Sequence, residues 1–401
     1  MPDTENHFRF RRFNADHRAF ISHFQLRSLV SATSRSDIYY AAPSKVLRTD
    51  AAGQTSTTVL DFTTTETDAP RFLVTTLDAR DDVLAIGGYH GDYAVMDLGS
   101  EYGTDPTHGF VSTSAAGHTN HVHLCANRRS RFPQAVFASN DGHVRILDIH
   151  TNRFTHDITY PNALNCSATS PNGRLRVVVG DTPEVYITDA ETGQPLQALK
   201  AHDASLHVHS SDGYACAWAD DDIHVATAGQ DSAVTIYDAR NWARPLARVA
   251  CEFRHARSLR FSPVGGGKRV LVAAEADDFI NVIDADLFDR KQVVDCFGAI
   301  AGVSFTPDGR SLFAMNSDRT VGGLMELERI GYGAPFGLRQ QDNSGDDDSG
   351  NSCDERKRNG GVGRRVCNDW AAEYDLDADP RVVLSTKARS RRGLDLGDVF
   401  V

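Results

Sequence analysis

Six histidines fall in two clusters, His118, His121 and His123, then His202, His207 and His209. A His-x-His pair on a strand puts both rings on one face, where a divalent metal could use them. Each cluster, however, lies in a loop running into a candidate strand, and no cysteine or acid recurs at a ligand spacing. The bland reading is polar loop residues, so no metal and no cofactor is expected. Nucleophile motifs are missing: there is no GxSxG, no GxxxxGK[ST] and no HExxH. A metal-dependent hydrolase at the histidines is a remote alternative. Gly265-Gly266-Gly267-Lys268 has the residue types of a phosphate loop, but nothing sets it between a strand and a helix N-terminus. It reads as a hairpin tip. Basic runs at 9–12, 356–365 and 387–392 have the charge to meet RNA or an import factor, yet each is short and close to acidic residues. They read as solvated tails.

The elements that would position such residues are short strands. Residues 225–240, VATAGQDSAVTIYDAR, give two strands, 223–228 and 233–238, joined by a tight turn at Gly229-Gln230-Asp231-Ser232. Two strands alone are not stable in water, so copies of the unit must bury their faces. Copies start at 84, 136, 177, 272 and 312, each running strand, polar turn, strand, acid. The acid falls at Asp97, Asp148, Asp189, Asp238, Asp284 and Glu326, at spacings of roughly 51, 41, 49, 46 and 42 residues. A second signature, Ser170-Pro171-Asn172-Gly173, Ser262-Pro263-Val264-Gly265 and Thr306-Pro307-Asp308-Gly309, ends the first strand of later units in a turn.

Length and composition agree. A chain of 401 residues suggests two or three domains, but a closed repeat array is one unit however long it runs. A net charge of −12 argues against a general nucleic-acid surface or an anionic membrane as partner. Seven cysteines, odd in number and without a CxxC, read as reduced thiols of a cytoplasmic or nuclear protein. No apolar run reaches a membrane span, and the Arg-rich N-terminus lacks the apolar centre of a signal peptide.

The expected fold is all-β: a single β-propeller of about seven four-stranded blades over 21–335. Residues 1–20 form an N-terminal arm. The last unit shows three strands, so the arm's alternating 8–13 is the first choice to close the ring and 381–386 the rival. Residues 336–368 are acidic and low in apolar content, hence disordered, and 369–401 form a tail for which an added strand and a partner motif both stay open.

With those repeats in view, residues 24–330 resemble the WD-repeat β-propeller family. Gly117-His118, Ser139, Asp141 and Leu147-Asp148 match one copy of its motif, and Ala201-His202, Thr227, Asp231 and Tyr237-Asp238 match another less closely. No repeat has an intact Trp-Asp, which marks a degenerate member. The resemblance implies a structural hydrogen bond between His118 and Asp141. Segments 24–40 (FQLRSLVSATSRSDIYY) and 256–288 also resemble stretches of a group of uncharacterised fungal and plant WD-repeat proteins, which implies kinship without an activity. Asp231, Tyr237, Asp238 and Arg240 resemble the box by which some WD-repeat proteins dock on the adaptor of cullin-4 ubiquitin ligases, although Ala226 is smaller than the residue usual there. In that reading Asp238 orients Arg240 at the rim. The expectation is thus a non-enzymatic scaffold whose partners are other proteins, with a cullin-4 substrate receptor as the alternative.

Overall fold

Strands that must be covered on both faces read as unbroken apolar runs, and the second strand of each unit does so. Val270–Glu275 (VLVAAE) and Ser311–Asn316 (SLFAMN) are buried at every residue. Outer strands alternate or are polar: Arg153–Thr159 has no buried residue. In a computed structural model, which describes residues 6–63, 71–99, 105–196, 212–265 and 267–331, these runs form 26 strands.

The first unit of four is β2 (Val30–Ala32), β3 (Ile38–Ala42), β4 (Lys45–Thr49) and β5 (Ser56–Asp61). Next come β6 (Val74–Arg80), β7 (Val83–Gly88), β8 (Asp92–Asp97) and β9 (Thr107–Phe110). The third is β10 (Thr119–Ala126), β11 (Pro133–Ser139), β12 (His143–Asp148) and β13 (Arg153–Thr159). The fourth shows three strands among the described residues, β14 (Leu164–Thr169), β15 (Leu175–Gly180) and β16 (Thr182–Asp189). The fifth is β17 (Gly213–Trp218), β18 (His224–Gly229), β19 (Ala233–Asp238) and β20 (Ala247–Ala250). Blade six starts with β21 (Ala256–Phe261), β22 (Val270–Glu275) and β23 (Asp277–Asp284). Blade seven holds β25 (Ser311–Asn316) and β26 (Gly323–Arg329).

One strand serves two blades. β24 (Lys291–Phe305) pairs with β23 through residues 291–299 and with β25 through 300–305, so the last strand of blade six continues as the first of blade seven. The bend lies at Phe297 and Gly298, both at positive φ, where a Cβ on Gly298 would come 2.7 Å from Asp318 Cβ. Sequence alone does not show that one strand continues through the change of unit, because no turn tetrad distinguishes a bend at Gly298 from a loop there.

The ring closes on the arm. β1 (Phe8–Asn14) pairs antiparallel with β26, from Phe8 opposite Arg329 to Asn14 opposite Leu324. Innermost strands β2, β6, β10, β14, β17, β21 and β24 neighbour one another in turn, and β24 returns to β2. Seven blades therefore surround a channel, and radial repetition leaves few sheet edges open. The core is split into clusters between blade faces: Tyr93, Phe137 and Leu147 join blades two and three, while Phe8, Val282 and Phe305 join six and seven. Among the described residues no helix is long and apolar enough to cross a membrane.

Two expectations change. The basic run 9–12 is not a solvated tail: Arg9 and Arg11 pair with Glu328 at 3.0 and 2.8 Å, and Arg12 with Glu326 at 3.5 Å, as part of ring closure. The repeated acid of blade seven is Glu328 rather than Glu326. Asp238 stands opposite His224, the first residue of its neighbour strand, and Glu328 likewise stands opposite Ser311. Most of these acids cap the following turn, as Asp238 accepts from Arg240 N at 2.8 Å and Asp189 from Thr192 N at 2.8 Å. The stretches 336–368 and 369–401, strand 381–386, the two C-terminal basic runs and His202, His207 and His209 lie outside the described residues.

Candidate functional site: the closed end of the channel

Each innermost strand starts at the same end of the channel, so residues just before or at the start of these strands converge there. His118 precedes β10, Tyr214 is in β17, and His255 and Arg257 flank the start of β21. Segment 23–27, which leads toward β2, lies across that end and touches four other blades. His23 is 6.2 Å from the ring of Tyr89 and 6.4 Å from that of His118. Arg257 donates from Nη1 to the Phe24 carbonyl and stacks over Phe24 and Tyr214 at 5.8 and 4.8 Å. Leu29 N donates to Ala301 O of blade seven at 3.2 Å.

This end is cationic and aromatic. Burial, and then the charge of Arg257, bring Arg27 down to about 10. Burial with the same neighbour brings His255 down to about 4 and also lowers His23, so both imidazoles are neutral at neutral pH. Phe24 and Phe253 are 67% and 59% exposed, although large apolar side chains are ordinarily covered. Beneath segment 23–27 a cavity with about 20 Å³ of space for the centre of a water molecule is lined by Arg27, Arg257, Arg260, His121, Asn165 and Cys166, among others.

The residues singled out from sequence fall in three places. His118 and Asp141 do not bond each other. His118 Nδ1 meets the Tyr89 carbonyl while its ring lies tilted against that of Tyr89 at 4.1 Å, and Asp141 accepts from Ser112 Oγ at 2.7 Å and pairs with Arg145 at 3.0 Å. Ser112 has replaced the histidine as the group that ties the turn of blade three to the link leading into β10. Although burial opposes it, the bonds from Arg145 and Ser112 hold the Asp141 carboxyl below its usual range. His121 and His123 are not the loop residues expected from sequence: both lie within β10 on one face, with ring centroids 6.0 Å apart and His121 5% exposed. His123 Nε2 accepts from Thr169 N at 3.2 Å, however, and burial holds that ring neutral. Among the described residues no group of three or more His, Cys, Asp or Glu is gathered as metal ligands would be. Lys268 pairs with Asp284 at 2.8 Å, and Gly265 at positive φ ends its turn, so Lys268 serves the hairpin; Gly266 lies outside the described residues.

Asp238 and Arg240 are at the opposite end of blade five, since Asp238 lies across from His224 while Gly229 lies across from Gly213. Asp238 holds Arg240 through Nε at 2.9 Å and Nη2 at 2.6 Å, and the guanidinium side chain is 69% exposed.

Sequence reasoning did not find Arg27, Arg257, Phe24 or Phe253 as a site. One signal was present: the two segments resembling the uncharacterised group, starting at Phe24 and Ala256, both carry Arg-Ser-Leu, and the fold sets them against each other at the channel end.

Comparison with known proteins fits this geometry. No family model matches the chain. An uncharacterized protein of Schizosaccharomyces pombe is 21% identical over 218 residues, covering 50% of this chain and 61% of that relative's length. Among solved structures, a chain in the crystal structure of a mitotic checkpoint complex aligns with a TM-score of 0.63 at 17% identity, covering 82% of this chain and 97% of that one. The WD40 β-propeller domain of Doa1 aligns with a TM-score of 0.60 at 13% identity, covering 80% and 96%. With seven blades, a ring closed by its N-terminal strand and these neighbours, the chain has the WD40 β-propeller fold.

Proposed function

We propose that the chain is a non-enzymatic protein-interaction scaffold that takes a segment of a partner protein at the channel end crossed by residues 23–27. The observation that carries this reading is the exposure of Phe24, 67%, between His23, whose ring also neighbours Tyr89 and His118, and Arg257, which also lies over Tyr214. Aromatic side chains with polar neighbours are the usual anchors of protein interfaces, and loops at a propeller's end can present them without disturbing the blades. A neighbour of the same fold that sits in a multiprotein assembly supports the reading. The test is tagged full-length chain against Phe24→Ser/Phe253→Ser, compared by affinity capture from the native cell and mass spectrometry. The substituted chain should melt as the wild type does and lose specific partners; an unchanged partner list refutes the reading.

A second reading uses the opposite end. Arg240 is exposed and oriented by Asp238, the arrangement that resemblance to adaptor-docking propellers implies for a cullin-4 substrate receptor. Arg240→Ala should then leave the melting temperature unchanged and remove the ligase adaptor from the captured proteins. Failure of wild-type chain to capture the adaptor ends this reading and leaves the first intact.

A further inference from the structure

Arginine in a protein interior is ordinarily met by a carboxylate, because an unpaired desolvated charge is costly. Three arginines at the closed end break that rule together. Arg27, Arg257 and Arg260 line one cavity, and none has an ion-pair partner among the described residues. Arg27 bonds only the carbonyls of His23 and Leu26, at 3.4 and 3.1 Å. Arg257 bonds the Phe24 carbonyl and His255 Nε2, and Arg260 bonds the Leu259 carbonyl and Ser28 Oγ. The carboxylate whose field reaches both Arg27 and Arg257 is Asp277, and it is engaged by Arg254 at 3.7 Å. His23 and His255 bring no negative charge.

The donors are also incompletely used. Arg27 Nε and Arg257 Nε are shut off from solvent without a hydrogen-bond partner. One further lining residue carries an orphaned nitrogen, Nδ1 of His121, which is 5% exposed. Buried polar atoms without partners, converging on one cavity with excess positive charge, describe a site that lacks its ligand. The cavity's about 20 Å³ of water-centre space admits a compact group.

We propose that the channel end beneath segment 23–27 binds a compact oxyanion, held by Arg27, Arg257 and Arg260 with His121 alongside. Bidentate guanidinium geometry suits phosphate and carboxylate alike, so the anion has two possible sources: free in solution, or an acidic or phosphorylated side chain of a partner segment. An extended polyanion is disfavoured by the flanking Asp181, Asp212 and Asp277 and by the chain's net charge of −12. In the second case the inference deepens the scaffold reading; in the first it stands without it.

The test titrates full-length chain with inorganic phosphate at constant ionic strength made up with gluconate, an anion too bulky for the cavity. Melting temperature should rise and saturate as for a single site, and calorimetry should give matching heats. Arg27→Met and Arg257→Met should each raise the half-saturating concentration ~10-fold or more. Without phosphate they should melt no lower than wild type, since each removes one of three like charges lining the cavity. Random peptides centred on phosphoserine, glutamate or serine identify the source. Displacement of phosphate by the phosphoserine or glutamate pool, and not the serine pool, makes the anion a partner's side chain; no displacement makes it a free ion. No saturable response of wild-type chain to phosphate or to any pool overturns the proposal, as does wild-type affinity in both variants. The wild-type series decides the matter even if a variant does not fold.

Discussion

Glu326 shows how a residue that looks like one more repeat acid does different work. Its carboxylate, 1% exposed, accepts from Arg35 at 2.5 and 3.0 Å and from Ser311 Oγ at 2.9 Å, with Arg12 at 3.5 Å. Three segments far apart in sequence, the arm, the link at 33–37 and blade seven, therefore meet at one buried charge. Removing one partner of such a group leaves the others desolvated and unpaired. Glu326→Ala should cost about 2–4 kcal/mol in urea unfolding, whereas Glu328→Ala, with more exposed partners, should cost under about 1 kcal/mol. Equal costs would contradict the register that separates the two acids. From sequence they are indistinguishable, because residues two apart share a face of the strand.

At the scale of the element, β1 is the strand on which the ring depends. Gln292 clamps its start, accepting from His7 N and Phe8 N at 2.8 and 2.9 Å and donating to Phe8 O at 2.6 Å. Phe8 is 1% exposed, packed 6.0 Å from Phe305 with Arg329 over its face. Phe8→Ala should destabilise by about 3–5 kcal/mol. Deleting residues 1–14 should lower the melting temperature further and promote aggregation through the bared edge of β26. A deletion that melts as the full chain does would mean that β1 contributes no closure. This strand was legible because Phe8 and Phe10 alternate with Arg9 and Arg11, and the blade turns were legible because Gly173 and Gly309 take the positive φ their tetrads demand. The span of β24 was not: no proline or asparagine marks the change of blade. Segment 23–27 was not legible either, since what shapes it are contacts with residues such as Tyr89, His118 and Arg257, and no periodicity encodes those.

Over the whole molecule, titration reports on imidazoles buried at the closed end and farther along β10, and binding reports on the closed end. His23, His123 and His255 are held neutral by burial, so their folded-state affinity for protons lies below the unfolded value near 6.5. The unfolded chain binds more protons between about pH 6.5 and the His255 value of about 4, so stability must fall as pH falls through that window. Urea midpoints at pH 7.5, 6 and 5 should decrease in that order, before carboxylates such as Asp141 and Glu328, held low by their arginine partners against the opposing effect of burial, begin to protonate. A flat profile would place these imidazoles in water.

In the proposed reading the blades supply rigidity, and the residues at the closed end supply what a partner would recognise. That claim is tested most directly by placing a photo-crosslinking phenylalanine analogue at Phe24, and in a second chain at Phe154 on the outer strand β13, then irradiating each in the native cell. The account predicts a discrete partner adduct from position 24 and none from position 154, with the adduct suppressed by Arg27→Met/Arg257→Met if the partner also brings the anion. Adducts from position 154 with none from position 24 would contradict it and move the interface to the rim of the propeller.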